Sequence, residues 1–210
     1  MADYFAAYIR HRGRFSRGPV SYTLETVYNL PEFDTLGRDT ALLMDLICKR
    51  FESNYFAASG PQTIVWNPGQ GHAPLFLTGY FSNLHPEKIA VASRDVLQLE
   101  ISVRNLAASR DGEEAPEVKS YHVPSMDALR EEIAPGSVSL ALLMLNPVSG
   151  TGWQDEAARL VDRAVAPGGI VAACAGSTTI HRLLEALHGM VLHCSRKYHG
   201  SRAVLLKKQV

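Results

Sequence analysis

Three short segments carry the side chains of this sequence that are best placed to do chemistry. The first covers 66–73 (WNPGQGHA) and follows a short apolar run at 63–66. Glycines directly after a strand let the backbone come close to a nucleotide. The GxxxxGK[ST] phosphate-loop pattern and the third glycine of the dinucleotide fingerprint are both absent. For Gly69 to Gly71, a nucleotide-binding loop and an ordinary strand-to-helix turn therefore both remain open.

The second segment covers 146–153 (NPVSGTGW) and follows the long apolar run at 139–145. An asparagine there presents an amide donor and acceptor at the open edge of a sheet, and Pro147 fixes the turn that holds Asn146. Trp153 either supplies a stacking face for a flat base or is buried and anchors the helix that follows. The residue types alone leave both roles open for this tryptophan.

The third segment, 92–95 (ASRD), ends another apolar run. An acidic residue at the end of such a strand commonly binds ribose hydroxyls, and Asp95 is the acid available here. Asp95 also stands directly before a helical pattern, where its carboxylate would cap the helix N-terminus. Ribose binding and helix capping are both compatible with this position.

Within the first segment, His72 is either a surface residue or a contact for a bound ligand.

Apolar runs alternate with helical patterns from Gln62 onward, and these elements must position the three segments. The alternation predicts a mostly parallel sheet with helices on both of its faces. The long run at 139–145 suits a central strand that is buried on both sides. The predicted strands lie at 63–66, 88–91, 118–121, 139–145 and 169–174.

Helices are predicted at 39–51, 96–106 and 154–165, and the last of them should stop at 167–169 (PGG). The apolar runs 190–194 and 203–206 flank a polar stretch that contains Gly200, which predicts a closing antiparallel hairpin. A solvated loop is predicted at 109–116. We divide the chain into an N-terminal extension, 1–38, with an irregular or hairpin segment, and a main domain, 39–210.

The order and spacing of these segments resemble the class I S-adenosylmethionine-dependent methyltransferase family. The resemblance is closest to the small-domain branch that includes ribosomal RNA guanine methyltransferases, and it spans 34–208. Gly69 to Gly71 match the GxG cofactor loop, and Asn67 stands where the family has an aspartate. The stretch 93–105 resembles the second motif, with Ser93 at the acidic ribose-binding position and Asn105 at the terminal asparagine.

The resemblance extends to the substrate side. Asn146 and Pro147 match the opening of the NPP[FY] motif, whereas Val148 replaces the second proline and Ser149 replaces the aromatic residue. The stretch 166–169 (APGG) resembles the LxPGG turn before the fifth strand. Several motif residues are altered. Asp95 or Trp153, each only a few residues from the expected position, would have to take over the role of the missing acid or aromatic residue.

The resemblance implies a Rossmann-like fold with a mostly parallel seven-stranded sheet and a C-terminal antiparallel hairpin. It also implies S-adenosylmethionine as the cofactor and a nucleic-acid base, preferably in RNA, as the substrate. The alternative is a domain that kept the fold but serves as a non-catalytic binding or assembly module. The implied site residues are Asn146 and Pro147 for catalysis, Asn67, Gly69, Gln70, Gly71, Ser93 and Asp95 for the cofactor, and Ser149 and Trp153 for the substrate.

The formal net charge of zero excludes a global field that would draw the protein onto nucleic acid. A local basic surface is present at 10–17 (RHRGRFSR), either a solvated N-terminal arm or a contact for RNA from Arg10 to Arg17. We find neither a signal-like start nor an apolar run of the roughly 20 residues that a membrane span needs. We therefore expect a cytoplasmic protein with no membrane contact, and the spacing of Cys and His residues predicts no metal site.

Overall fold

The computed structural model describes residues 4–50, 62–80, 87–109, 116–145 and 151–209. After a short 3-10 helix at Tyr4–Tyr8, these residues form nine β-strands and six α-helices. The strands are β1 Ile9–Arg17, β2 Val20–Val27, β3 Gln62–Trp66, β4 Lys88–Ser93, β5 Glu117–His122, β6 Val138–Met144, β7 Val165–Gly176, β8 Met190–Tyr198 and β9 Ser201–Lys208.

Seven of these strands form one sheet in the order β5-β4-β3-β6-β7-β9-β8. Strands β3 to β7 are mutually parallel, whereas β9 runs antiparallel to both of its neighbours, β7 and β8. Every residue of β6 is buried, as expected for a central strand. The predicted Rossmann-like sheet with its C-terminal antiparallel hairpin is therefore confirmed.

The helices cover both faces of this sheet, and on each face they pack against the strands in a separate apolar core. Residues of α1, α2 and α3 pack in one core with alternate residues of the strands, and residues of α4, α5 and α6 pack in the other. The sequence predicted a helical stretch after the glycine loop, where α2 forms, but neither α4 nor α6. The helices are α1 Arg38–Arg50, α2 His72–Tyr80, α3 Val96–Ala108, α4 Met126–Glu132, α5 Trp153–Ala164 and α6 Ser177–Ala186.

The N-terminal segment is a β-hairpin and not a solvated arm. Strand β1 pairs antiparallel with β2 along nearly its whole length. Val20, Tyr22 and Leu24 of β2 are buried in the core that α1 and α2 share with the sheet. The basic segment 10–17 is thus held in a strand because its partner β2 contributes to the core. The division of the chain at residue 38 stays a prediction.

The segment 167–169 (PGG) also differs from the expected turn. Helix α5 ends at Ala164, and the chain enters β7 directly at Val165. The pairing of β7 with β6 then shifts register between Val138 and Leu140, so Gly168, at φ 77°, lies in an irregularity of the strand. The predicted loop at 109–116 lies largely outside the described residues.

Candidate functional site

The glycine loop, residues 67–71, connects β3 to α2 at the carboxyl edge of the sheet. Its backbone turns sharply, with positive φ angles of 51° at Asn67, 60° at Gly69 and 95° at Gly71. A Cβ on Gly71 would lie 3.3 Å from the backbone of Ser102 in α3, so that glycine allows the loop to pack on the helix. Among the described residues, a Cβ on Gly69 would meet one atom within 4 Å, a Glu32 carboxylate oxygen at 3.8 Å. Gly69 therefore borders open space.

Three of the predicted cofactor residues meet where β3 and β4 end. The Ser93 hydroxyl donates to Asn67 Oδ1 at 3.1 Å and accepts the backbone N–H of Asp95, also at 3.1 Å. Asp95 Oδ1 accepts the backbone N–H of Leu97 at 2.9 Å, so the capping role is the one that the structure shows. The cap uses only one oxygen of this partly exposed carboxylate, and Oδ2 is not part of it.

The side chain of Gln70 is fully buried and holds the end of the N-terminal hairpin. Its Nε2 donates to the carbonyl oxygens of Val27 at 3.0 Å and Leu30 at 3.2 Å, and its Oε1 accepts the N–H of Val27 at 3.1 Å. The hairpin thus satisfies this amide, and cofactor binding at Gln70 stays a prediction that concerns the loop backbone.

Asn105 of α3 completes this arrangement from the other side. Its Oδ1 accepts the N–H of Glu25 in β2 at 2.8 Å, and its Nδ2 donates to the Glu25 carbonyl at 2.8 Å and to the Gln70 carbonyl at 2.9 Å. We call Gln70 and Asn105 together the amide clamp. The clamp ties hairpin, glycine loop and α3 into one unit, a role that the motif position of Asn105 did not reveal.

His72 is completely buried at the start of α2, which corrects the expectation of a surface histidine. Its Nε2 lies 3.0 Å from the carbonyl oxygen of Glu32, and its Nδ1 lies 3.1 Å from the Tyr22 hydroxyl. Because a carbonyl only accepts, Nε2 carries the proton and Nδ1 accepts from Tyr22. Burial lowers the pKa of His72 to about 4, so the ring is neutral near pH 7.

Glu32 is a site residue that no sequence motif contains. It follows Pro31 in the segment between β2 and α1, at a positive φ of 65°. Its Oε1 accepts a hydrogen bond from the Thr40 hydroxyl of α1 at 2.6 Å. Burial raises the pKa of this carboxyl group, although the Thr40 contact acts in the opposite direction. Only the tertiary packing of α1 and the glycine loop brings this side chain to the site.

Strand β6, which precedes the predicted substrate segment in the sequence, ends at the same edge of the sheet as β3, because the two strands are parallel neighbours. Asn146, Pro147 and Ser149 lie outside the described residues. Trp153 is only 5% exposed and packs in the core under α5. The structure thus corrects the expectation of a stacking face and supports the alternative, in which this indole anchors the helix.

No protein-family model and no curated protein matches this sequence. Solved structures do match. The 16S rRNA N2 G1207 methyltransferase RsmC of T. thermophilus, solved with AdoMet and guanosine, superimposes with a TM-score of 0.61 at 20% identity over 97% of this chain and 46% of its own. The putative methyltransferase yhhF of Escherichia coli has a TM-score of 0.60 at 14% identity over 86% of this chain and 92% of its own. The chain has the class I methyltransferase fold.

A third solved methyltransferase has a similar fold. The precorrin-6y C5,15-methyltransferase of Geobacter metallireducens superimposes with a TM-score of 0.58 at 13% identity over 87% of this chain and 95% of its own. This methyltransferase-fold chain spans less than half the length of RsmC.

Among its described residues, no three His, Cys, Asp or Glu side chains are grouped to hold a metal ion. The helices in the described ranges are all too short or too polar to cross a membrane.

Proposed function

We propose that this protein is a cytoplasmic S-adenosylmethionine-dependent methyltransferase whose substrate is a base in RNA. The observation that carries the proposal is the glycine loop, which turns at Gly69 beside open space at the carboxyl ends of β3 and β4. Ligands of open α/β sheets bind at this edge. The fold agrees with this assignment, since RsmC was solved with AdoMet and guanosine.

The residues at this edge fit such a cofactor. The loop backbone at Gly69 borders the open space, and Asp95 Oδ2 is available to accept a ribose hydroxyl. When bound, S-adenosylmethionine supplies an electrophilic methyl group, so the chain mainly has to align that group with a nucleophile. The segment that begins at Asn146 follows β6 at the same edge, where it would hold the substrate.

Isothermal titration of the purified protein with S-adenosylmethionine and S-adenosylhomocysteine tests the proposal. We expect saturable binding of both ligands with dissociation constants below about 1 mM. Absence of binding at that concentration would reject the enzyme and leave a non-catalytic module that kept the fold.

Asp95→Ala should weaken the binding of S-adenosylmethionine about tenfold, because it removes a charged acceptor for the ribose. The same change removes the N-cap of α3 and should cost about 1 kcal/mol of stability. Ser125→Ala is the matched control, since Ser125 caps α4 through the N–H of Ala128. The control should lose similar stability with unchanged affinity. Equal affinity of Asp95→Ala and wild type in calorimetry would reject the ribose contact.

Gly69→Ala should weaken the binding of S-adenosylmethionine about 10- to 30-fold, because the added methyl group enters the space where the loop meets its ligand. The fold should tolerate it at a cost of about 1 kcal/mol for the left-handed backbone. Gly71→Ala is the contrasting variant, which should lose about 2 kcal/mol through its contact with Ser102. Calorimetry and urea denaturation measure the two effects. Full affinity in Gly69→Ala would place the ligand elsewhere.

We also propose that β1 contacts RNA through the face that carries Arg12 and Arg14. Both residues are exposed, whereas Gly13 and Phe15 between and after them face inward. The hairpin packs on the core, so substitution is a cleaner test than deletion of the strand. Arg12→Gln/Arg14→Gln should weaken RNA binding. The slope of the logarithm of the binding constant against the logarithm of the salt concentration should become shallower by about 1.4, at about 0.7 per phosphate contact.

The control for this experiment is Arg159→Gln/Arg163→Gln, which makes the same change in net charge on α5. Both control residues pair with acidic residues of α4. Gel-shift titrations at several salt concentrations should show an unchanged slope for the control. An unchanged slope for the β1 variant as well would exclude this face as the RNA contact.

A further inference from the structure

The carboxylate of Glu32 lies directly against the glycine loop. Its Oε2 is 3.8 Å from the position that a Cβ on Gly69 would occupy. Its Oε1 is held from the opposite side by the Thr40 hydroxyl at 2.6 Å. One oxygen is thus anchored on α1, and the other lies beside the open space at Gly69.

The backbone holds Glu32 in this place at some cost. A positive φ of 65° is unfavourable for a residue with a side chain, and such strain persists where surrounding contacts maintain it. The buried ring of His72 provides one of those contacts by donating to the Glu32 carbonyl. Gly37 provides another through a backbone hydrogen bond to the Glu32 carboxyl group. Two neighbouring elements therefore fix where this carboxylate lies.

The charge of Glu32 contrasts with the uncharged side chains at the strand ends. Asn67 and Ser93 are neutral and hydrogen-bonded to each other. S-adenosylmethionine carries two cationic groups, the sulfonium and the α-ammonium, and a carboxylate binds an ammonium group through strong charge-assisted hydrogen bonds. Burying an ionised carboxylate without such a partner is unfavourable, and burial raises the pKa of Glu32 accordingly.

We propose that Glu32 binds the α-ammonium group of the cofactor's methionyl moiety through Oε2, beside Gly69. This inference rests on the proposed function and names a residue that supplies negative charge beside Gly69. The ammonium group donates to Oε2 while Thr40 keeps Oε1 in place. The negative charge for the ammonium group is thereby supplied from the segment between β2 and α1.

Glu32→Gln tests the assignment, because glutamine keeps the shape and an acceptor for Thr40 but removes the charge. Three ligands are titrated by calorimetry: S-adenosylmethionine, S-adenosylhomocysteine and 5′-methylthioadenosine, which lacks the amino-acid portion. The variant should bind the first two about 10- to 100-fold more weakly and 5′-methylthioadenosine within about twofold of wild type. Glu132→Gln on the exposed side of α4 makes the same change in net charge and should bind all three normally.

Each other outcome overturns the assignment in a distinguishable way. Normal binding of S-adenosylmethionine and S-adenosylhomocysteine by Glu32→Gln would remove Glu32 from the site and leave the proposed function intact. Equal weakening of all three ligands would show a merely structural role, and weakening of S-adenosylmethionine alone would assign Glu32 to the sulfonium instead. Wild-type protein that binds none of them would refute the proposed function itself. Thermal melting of the free variant should give a midpoint equal to or above that of wild type, because the buried charge is gone.

Discussion

Asn105→Leu is expected to lower the free energy of unfolding by about 3 to 5 kcal/mol. The substitution removes both amide atoms of Asn105, which leaves the N–H and C=O of Glu25 and the C=O of Gln70 without this partner. Each buried backbone group that loses its hydrogen bond costs about 1 to 3 kcal/mol. Urea denaturation followed by circular dichroism measures the change.

Ser102→Ala is the matched control on the same helix. Ser102 donates one hydrogen bond, to the carbonyl of Gly69 at 3.2 Å, so its removal should cost about 1 kcal/mol. A loss in Asn105→Leu no larger than in the control would mean that the amide clamp does not hold the hairpin. A Gln70→Leu variant should behave like Asn105→Leu, because it breaks the other half of the clamp.

Acidification is expected to remove about 3 kcal/mol of stability through His72. In the unfolded chain this histidine has its ordinary pKa of 6.5, whereas burial lowers the folded value to about 4. Protons therefore bind the unfolded state first as the pH falls. The contribution of His72 is complete above pH 6.5, declines between pH 6.5 and about 4, and is lost below that interval.

The raised pKa of Glu32 acts with the opposite sign, because protonation of its buried carboxyl relieves an unfavourable charge. His72→Phe separates the two effects, since phenylalanine keeps a ring but does not titrate. The free energy of unfolding of both proteins is measured by urea denaturation at pH 7 and pH 4.5. The difference in this free energy between wild type and variant should largely disappear at pH 4.5. Parallel stability curves for the two proteins would contradict the assignment to His72.

The local patterns of the sequence were sufficient to predict most of the sheet and the longer helices. Strand β6 was expected at 139–145 and forms at Val138–Met144, because a fully apolar run suits a strand buried on both faces. Helix α3 was expected at 96–106 and forms at Val96–Ala108, with Asp95 as its cap. Periodicity and capping depend on neighbouring residues, so both are readable from the sequence.

The side-chain partners within the site were not readable in this way. Gln70 bonds to residues 43 positions earlier in the chain, and His72 bonds to Glu32 across 40 positions. The basic segment at 10–17 has an arm-like composition, but β2 recruits it into a strand because Tyr22 and Leu24 belong to the core. For Trp153 the sequence leaves a stacking surface and a buried anchor both open, and its packing in the core as the first residue of α5 decides for the anchor. Each of these features depends on which surfaces meet in three dimensions.

The amide clamp also constrains the order in which this chain folds. Asn105 and Glu25 are 80 positions apart, so their contact closes a long loop and contributes little to any early local structure. During synthesis the hairpin leaves the ribosome well before the strands and helices that receive it. Its apolar face, with Val20, Tyr22 and Leu24, therefore stays uncovered until α1 and α2, which share its core, have been made. We therefore expect the amide clamp to close late, only after α3 has been made.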